Sequence, residues 1–342
     1  MSDIVGIDLG LGSIKVVALN KSQNSLVLAA IGEIKTPNME WMRAEASRKN
    51  IEEVSEAIKS LIKDLKLGSR QVVVALPEYE IVSRLVSLPP LKESEIKDAL
   101  KFEAETFVPY PLDQVSIDYE VIEEDEAGRL TVFAIAARND LIANYVKIFK
   151  GANMELLAIE SPAVSMKRVL KQMATASEAT MVVDIGQKYS DIIGFKNGNI
   201  YFARSIPVGG ESLTRAISVN LGLDEASAEE YKKAYGIKEL ELEGKIKNAI
   251  MPVFSSMAEE IRRAMALYGE NNNKAIELLV LSGGGAKMPG LAEELTRLLG
   301  IEVQIIQPFL KIDCQQIVAP IDLEADGYRF STAVGLGMRA LI

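Results

Sequence analysis

Residues 4–19, IVGIDLGLGSIKVVAL, set an apolar run, an Asp, a turn of small residues and a second apolar run in succession. The second run is rich in β-branched residues, so the pattern predicts a β-hairpin in which IVGID leads up, LGLGS turns and IKVVAL returns. Residues 181–195, MVVDIGQKYSDIIGF, repeat the arrangement. Aligning Asp8 with Asp184 puts Gly10 on Gly186 and Val16 on Ile192 without a gap, at an offset of 176 residues, 184 minus 8, close to half the chain. Two such hairpins in two halves predict a duplicated α/β architecture with facing turns. A third segment, LLVLSGGGAKMPGLAEELTRLLG at 278–300, runs an apolar strand into Gly283, Gly284 and Gly285 and then into an amphipathic helix. That order suits a flat base or a phosphate lying against bare backbone, or else a flexible βα loop.

Between the hairpins, an irregular TPNMEWMRAE precedes the helical pattern IEEVSEAIKSLIKDL. Further on, Ile96, Leu100, Phe102 and Phe107 predict the apolar face of one helix, VSIDYEVI and RLTVFAIAA alternate like paired strands, and NDLIANYVKIFKGA predicts a second helix. Together they form an α+β insert of about 70 residues, a normal subdomain size. Residues 210–268 read as three amphipathic helices with solvated, mixed-charge faces.

Composition narrows the chemistry. At 342 residues the chain has room for several lobes, and 48% hydrophobic with 25% charged residues is ordinary for a globular protein. The net charge of −10 comes without a basic patch, the main charge run being the acidic EEDEAG at 123–128, so no nucleic-acid footprint is present. Histidine is absent and Cys314 is the single cysteine, which excludes disulfides within the chain, cysteine–histidine zinc sites and histidine-based triads. Any metal must then be held by oxygen, which favours magnesium. The N-terminus enters a strand pattern without the basic and apolar regions of a signal peptide, and no apolar run approaches ~18 residues, so a cytoplasmic chain without a spanning helix is expected.

The first turn fits neither common nucleotide fingerprint. Lys15 stands where a dinucleotide motif needs its third glycine, and after Gly12 comes Ser13 rather than Lys, with no helix following. The small residues would still let N–H groups approach a bulky anion, with Asp8 placed to hold magnesium through water and Lys15 to reach phosphate oxygens. The bland alternative is a glycine hairpin with a solvated Asp and Lys.

Taken together, DLGLGSIK, DIGQKYSD and LSGGGAKMPG resemble the two phosphate motifs and the adenosine motif of the actin, Hsp70 and sugar-kinase superfamily. IESPAVSMKRVL (159–170) and STAVGLGMRAL (331–341) resemble its connecting helices, and SAEEYKKAYG (227–236) the helix that touches ribose and adenine. The resemblance implies an actin-like duplicated ATPase fold of two RNase H-like lobes with a small inserted α+β subdomain like the 1C subdomain of FtsA. The first lobe would take 1–80, 153–180 and 325–342, the insert 81–152, the second lobe 181–208 and 270–324, and an upper subdomain 209–269. ATP or ADP with magnesium would be held by Asp8 and Asp184 through the metal, by Gly10, Gly12, Ser13, Lys15, Gly186, Ser190 and Gly209 at the phosphates, by Glu229 and Lys232 at the nucleoside, and by Gly283, Gly284, Gly285 and Met288 around the adenosine. Met288 has ordinary loop packing as its alternative. Glu160 falls on the acidic position that orients attacking water, or else caps the helix that follows. Where the second turn of the superfamily carries small residues this chain has Gln187 and Lys188, which implies at most slow hydrolysis.

The insert is the distinguishing stretch. Glu95, Ile96 and Ala99, then Phe102, Glu103, Glu105, Pro109, Tyr110, Pro111 and Leu112, then Asp118 and Tyr119, closely resemble the E-I-x-x-A helix, the acidic aromatic stretch ending in P-[FY]-P-L and the D-Y strand of the PilM family of type IV pilus assembly proteins. FtsA has a similar insert but ends in a linker and an amphipathic membrane helix, whereas this sequence stops at Ile342 after the second connecting helix. The resemblance implies an adaptor that binds the N-terminal cytoplasmic tail of a PilN-like inner-membrane protein, sits at the membrane only through that partner, and has a pilus assembly ATPase and copies of itself as further contacts. Trp41 with Met39 is the candidate tail surface, with closure of the local core as the alternative for Trp41. An FtsA-like filament protein and a small-molecule kinase are the other readings; the latter lacks a convincing catalytic Asp and sugar-binding set.

Overall fold

The computed structural model describes residues 3–22, 25–173, 177–238, 241–272, 274–315, 317 and 319–342. The first hairpin forms as the pattern predicts: β1 (Ile4–Leu9) pairs antiparallel with β2 (Ser13–Ser22), which pairs with β3 (Ser25–Lys35). Helix α1 (Arg48–Asp64), capped by the Ser47 hydroxyl, then crosses to β4 (Gln71–Ala75), parallel to β1. Next come β5 (Ile81–Leu88), α2 (Glu93–Ala104), β6 (Val115–Glu124), β7 (Leu130–Arg138), α3 (Asn139–Gly151), β8 (Glu155–Glu160) and α4 (Pro162–Gln172). The second half opens with β9 (Ala179–Ile185), β10 (Ser190–Lys196) and β11 (Asn199–Ile206), continues through α5 (Gly210–Leu221), α6 (Glu225–Tyr235) and α7 (Lys245–Asn272), and returns through β12 (Leu278–Ser282), α8 (Leu291–Leu299) and β13 (Glu302–Ile305). Last are β14 (Ile312–Asp313), α9 (Leu323–Asp326) and α10 (Ser331–Gly337).

Two sheets carry the duplication. The first runs β14-β3-β2-β1-β4-β8 and the second β11-β10-β9-β12-β13, so each half has three antiparallel meander strands followed by two parallel crossover strands in the same order. Strand β14, from the second half, extends the first sheet at β3. Helices α4 and α10 pack against each other, and α10 also covers β1. The core divides accordingly: one buried cluster spans the second lobe and the connecting helices, another fills the outer face of the first lobe, and small clusters belong to the insert.

The insert is a three-stranded antiparallel sheet, β5-β7-β6, covered by α2. Two sequence expectations change here. Phe102 is 75% exposed, because Ile96, Leu100 and Ala104 form the buried stripe and a residue two positions from Leu100 lies roughly 200° around the helix. Helix α3 buries Leu141, Tyr145, Ile148 and Phe149 in the first-lobe cluster. By packing, the insert therefore ends near residue 138 rather than at 152.

Candidate functional site

Between the lobes lies a cleft of about 1320 Å³, and both hairpin turns open into it. In the first turn the Gly10 N–H donates to the Ser13 carbonyl at 3.1 Å; in the second, the Gly186 N–H donates to the Tyr189 carbonyl at 3.0 Å, at matching positions of the repeat. A Cβ on either glycine would sit 2.9 Å from that same oxygen, so both turns need glycine for close approach. The turns also meet each other: a Cβ on Gly12 would fall 2.6 Å from Gln187 Oε1. With Lys188 also lining the wall, the second turn is both narrower and more cationic than small residues would make it.

Asp8 and Asp184 stand at the ends of the two central strands. Asp8 lies 4.0 Å from the Nζ of Lys15, its cross-strand partner, and Lys15 also approaches Glu33 at 3.9 Å. Asp184 accepts from Ser282 Oγ at 2.7 Å, at the end of β12. Burial pushes both carboxyls above the usual range, against the opposing pull of Lys15 on Asp8 and of the Ser282 hydrogen bond on Asp184. The triple glycine begins directly after Ser282. Gly283 has φ +80°, and a Cβ there would fall 2.6 Å from Asp184 Oδ1, whereas Gly284 has nothing within 4 Å and offers bare backbone to the cleft. Among the described residues no group of three or more acidic, Cys or His side chains converges to hold a metal ion unaided. Asp8 and Asp184 therefore fit magnesium only alongside oxygens brought by water or a ligand, a set of hard donors suited to that ion.

At the far wall, Lys232 Nζ donates to Glu229 at 2.5 Å, to Thr214 Oγ1 at 2.9 Å and to the Gly210 carbonyl at 3.1 Å, tying α6 to the start of α5. Met288 borders the cleft while packing into the second-lobe core. Ser190 and Gly209 are not among the lining residues. The buried Ser190 hydroxyl donates to the Val208 carbonyl at 2.6 Å, and beyond Gly209 the N–H groups of Gly210 and Glu211 donate to the Gly186 and Gln187 carbonyls at 2.9 and 2.8 Å. Both positions thus shape the second turn from behind.

Two expectations are corrected by the geometry. Glu160 does not line the cleft: Arg168 grips both its oxygens, at 2.7 and 2.8 Å, and Arg339 bonds it as well, so its acceptors are satisfied away from any attacking water. Nor does it cap α4, since Ser161 Oγ accepts the Ala163 N–H at 3.1 Å and is the cap. Trp41 is fully buried, edge-on to Tyr145 at 5.2 Å between ring centroids, and so closes the first-lobe core instead of offering a surface. Met39 packs half-buried against the same cluster.

Several cleft residues were not singled out from the sequence, and four of them lie at the seam between the lobes. Glu78 and Tyr79 follow β4, and Tyr189 and Asp191 belong to the second hairpin. Tyr79 and Tyr189 stack across the two lobes with centroids 4.1 Å apart and planes 17° apart. Asp191 pairs with Asp184 across the hairpin, at the position Lys15 holds in the first, so the repeat itself carried the signal. For Glu78 the signal was its place just past the C-terminal end of a parallel strand, where α/β sheets bind ligands.

A family model described as type IV pilus assembly protein PilM matches residues 6–341. A solved PilM–PilN type IV pilus biogenesis complex has a chain 26% identical to this one, superposing with a TM-score of 0.86 over 99% of this chain and 98% of that one. Cell division protein FtsA of Bacillus subtilis (strain 168) is 22% identical over 260 residues, which cover 68% of this chain but only 58% of FtsA. MreB5 of Spiroplasma citri bound to AMPPNP, at 15% identity and a TM-score of 0.55 over 98% of this chain and 95% of that one, shares the fold. Among the described residues no helix is long and apolar enough to cross a membrane.

Proposed function

The chain belongs to the PilM family of type IV pilus assembly proteins, and on that premise we propose that it is a cytoplasmic, ATP-binding adaptor that captures the tail of a PilN-like membrane protein and links it to the assembly machinery. The observation that carries the nucleotide half of this reading is the pair of matched hairpin turns facing each other across one cleft, with the bare backbone of Gly284 along its wall. In this reading Gly10, Gly12, Ser13, Lys15 and Gly186 meet the phosphates. Asp8 and Asp184 hold magnesium through water, where it would neutralise phosphate charge. Gly283, Gly284, Gly285 and Met288 border the adenosine, and Glu229 and Lys232 stand at its sugar and base. Ser190 and Gly209 support the second turn.

The partner half rests on likeness to a chain of the solved PilM–PilN complex, at nearly full coverage of both chains. Because Trp41 is interior, it does not form the tail surface in this reading. Nucleotide, contacting both lobes, would bias the cleft and with it the tail site, as a shift between populations of open and closed molecules. The test is calorimetric titration of the purified chain with magnesium ATP and, separately, with a peptide spanning a PilN-like cytoplasmic tail. Saturable binding of both is expected. Absence of heat with ATP overturns the nucleotide reading, and absence with the peptide overturns the adaptor reading.

A further inference from the structure

Of the carboxylates that line the cleft, the nucleotide reading uses Asp8, Asp184 and Glu229. Among those it leaves unused, which include Glu33, Glu211, Glu225 and Asp326, Glu78 and Asp191 lie on the segments whose tyrosines stack across the seam. Glu78 is 3% exposed, yet it reaches the cleft from the turn between β4 and β5. Its Oε2 accepts from Ser161 Oγ at 2.9 Å. Because that serine also caps α4, the start of a connecting helix holds the carboxylate by one oxygen, Oε2. Asp191 comes from the other lobe and accepts from Ser205 Oγ at 2.5 Å. The stacked rings of Tyr79 and Tyr189 bring the two segments together across the seam.

These surroundings separate the two acids. Burial pushes Glu78 up to about 7, with the Ser161 hydrogen bond as the opposing pull. Asp191 stands well above the carboxylate range, first through burial and then through the charges of Glu78, Asp184 and Asp8. Asp8, Asp184, Asp191 and Lys15 line the same cleft, and Glu80 with Arg138 stands at the start of the insert. Burial therefore makes Glu78 a stronger base than a solvated carboxylate, as a general base requires. Glu160, held by two arginines, has no oxygen left for that task.

We propose that Glu78 is the general base of a nucleoside triphosphatase activity in this cleft. The proposal rests on the nucleotide reading above and adds a reaction to it. A water oxygen bonds to the terminal phosphorus as the bond from that phosphorus to the bridging oxygen breaks. The bridging oxygen keeps the electron pair and leaves as the nucleoside diphosphate. The water proton passes to Oε1 of Glu78 and returns to solvent as inorganic phosphate departs.

The experiment compares the full chain with Glu78→Gln, a neutral isostere of the acid form, and with Ser161→Ala. Affinity is read with a fluorescent ATP analogue, chemistry by single-turnover phosphate release from ATP between pH 5.5 and 9, and occupancy by identifying the nucleotide recovered after denaturing the incubated protein. Wild type is expected to release phosphate along a rising pH profile with a midpoint near 7 and to yield ADP. Glu78→Gln should bind the analogue within about threefold of wild type, lose at least ~100-fold in release, lose the pH step and yield ATP. Ser161→Ala should move the midpoint to higher pH, because it removes the hydrogen bond that holds the charged form down. Release by Glu78→Gln within threefold of wild type overturns the proposal, as does a wild type that binds ATP and never converts it. A wild type that binds no analogue overturns the nucleotide reading itself, an outcome the affinity measurement separates from the other two.

Discussion

Trp41 and Glu160 show how far one residue's meaning depends on its neighbours. Trp41→Ala removes a fully buried indole from the face of Tyr145, and a loss of about 3–5 kcal/mol in urea unfolding is expected, with nucleotide affinity of the folded fraction unchanged. Glu160→Ala removes the bidentate partner of Arg168, only 3% exposed at its side chain, and leaves the guanidinium with the Gly335 carbonyl at 3.1 Å. About 3 kcal/mol should be lost by the same measurement, again without an effect on nucleotide affinity. Glu78 acts with the opposite sign. Its carboxyl is raised from 4.5 to about 7 in the fold, so the native state resists the ionisation that the unfolded chain accepts. This stability is fully present below about 4.5 and is lost as pH rises through about 7. Glu78→Gln should therefore stabilise the protein by about 3 kcal/mol at pH 8 and by almost nothing at pH 4.5, read as unfolding midpoints at the two pH values.

At the scale of elements, the two hairpins are one design used twice with one change. Backbone hydrogen bond, glycine contact and strand order all repeat, but the cross-strand partner of the central Asp is Lys15 in the first lobe and Asp191 in the second. The first turn is thereby cationic next to its Asp, while in the second an acid faces the Asp. The Tyr79–Tyr189 stack joins the second turn to the segment that leads straight into β5. The Tyr79 hydroxyl also donates to Met42 Sδ at 3.1 Å, which anchors that segment on the first-lobe core. Tyr189→Ala should cost about 1 kcal/mol of stability and raise amide exchange at the start of β5, measured by hydrogen–deuterium exchange. Unchanged protection there would show that the stack does not hold the lobes together.

For the whole molecule, a ligand that touches both lobes should stabilise the fold by mass action, about 2.7 kcal/mol at a hundredfold excess over Kd. ATP with magnesium is accordingly expected to raise the unfolding temperature, and Asp8→Asn combined with Asp184→Asn to abolish the rise. The sequence by itself determined the duplicated hairpins, the glycine-lined wall and the family, because strand alternation, turn chemistry and a gapless 176-residue repeat are local patterns that survive in one dimension. Part of the cleft lining followed from them, from Asp8 and Lys15 to Asp184 and Gly284. Only the tertiary structure decided which carboxylates stay available. Glu160 meets Arg339 from 179 positions away, and Glu78 meets Ser161 from 83. It also placed Phe102 outside, Trp41 inside and α3 on the first lobe rather than the insert. Burial and long-range pairing depend on what the rest of the chain brings to a residue, and no local pattern records that.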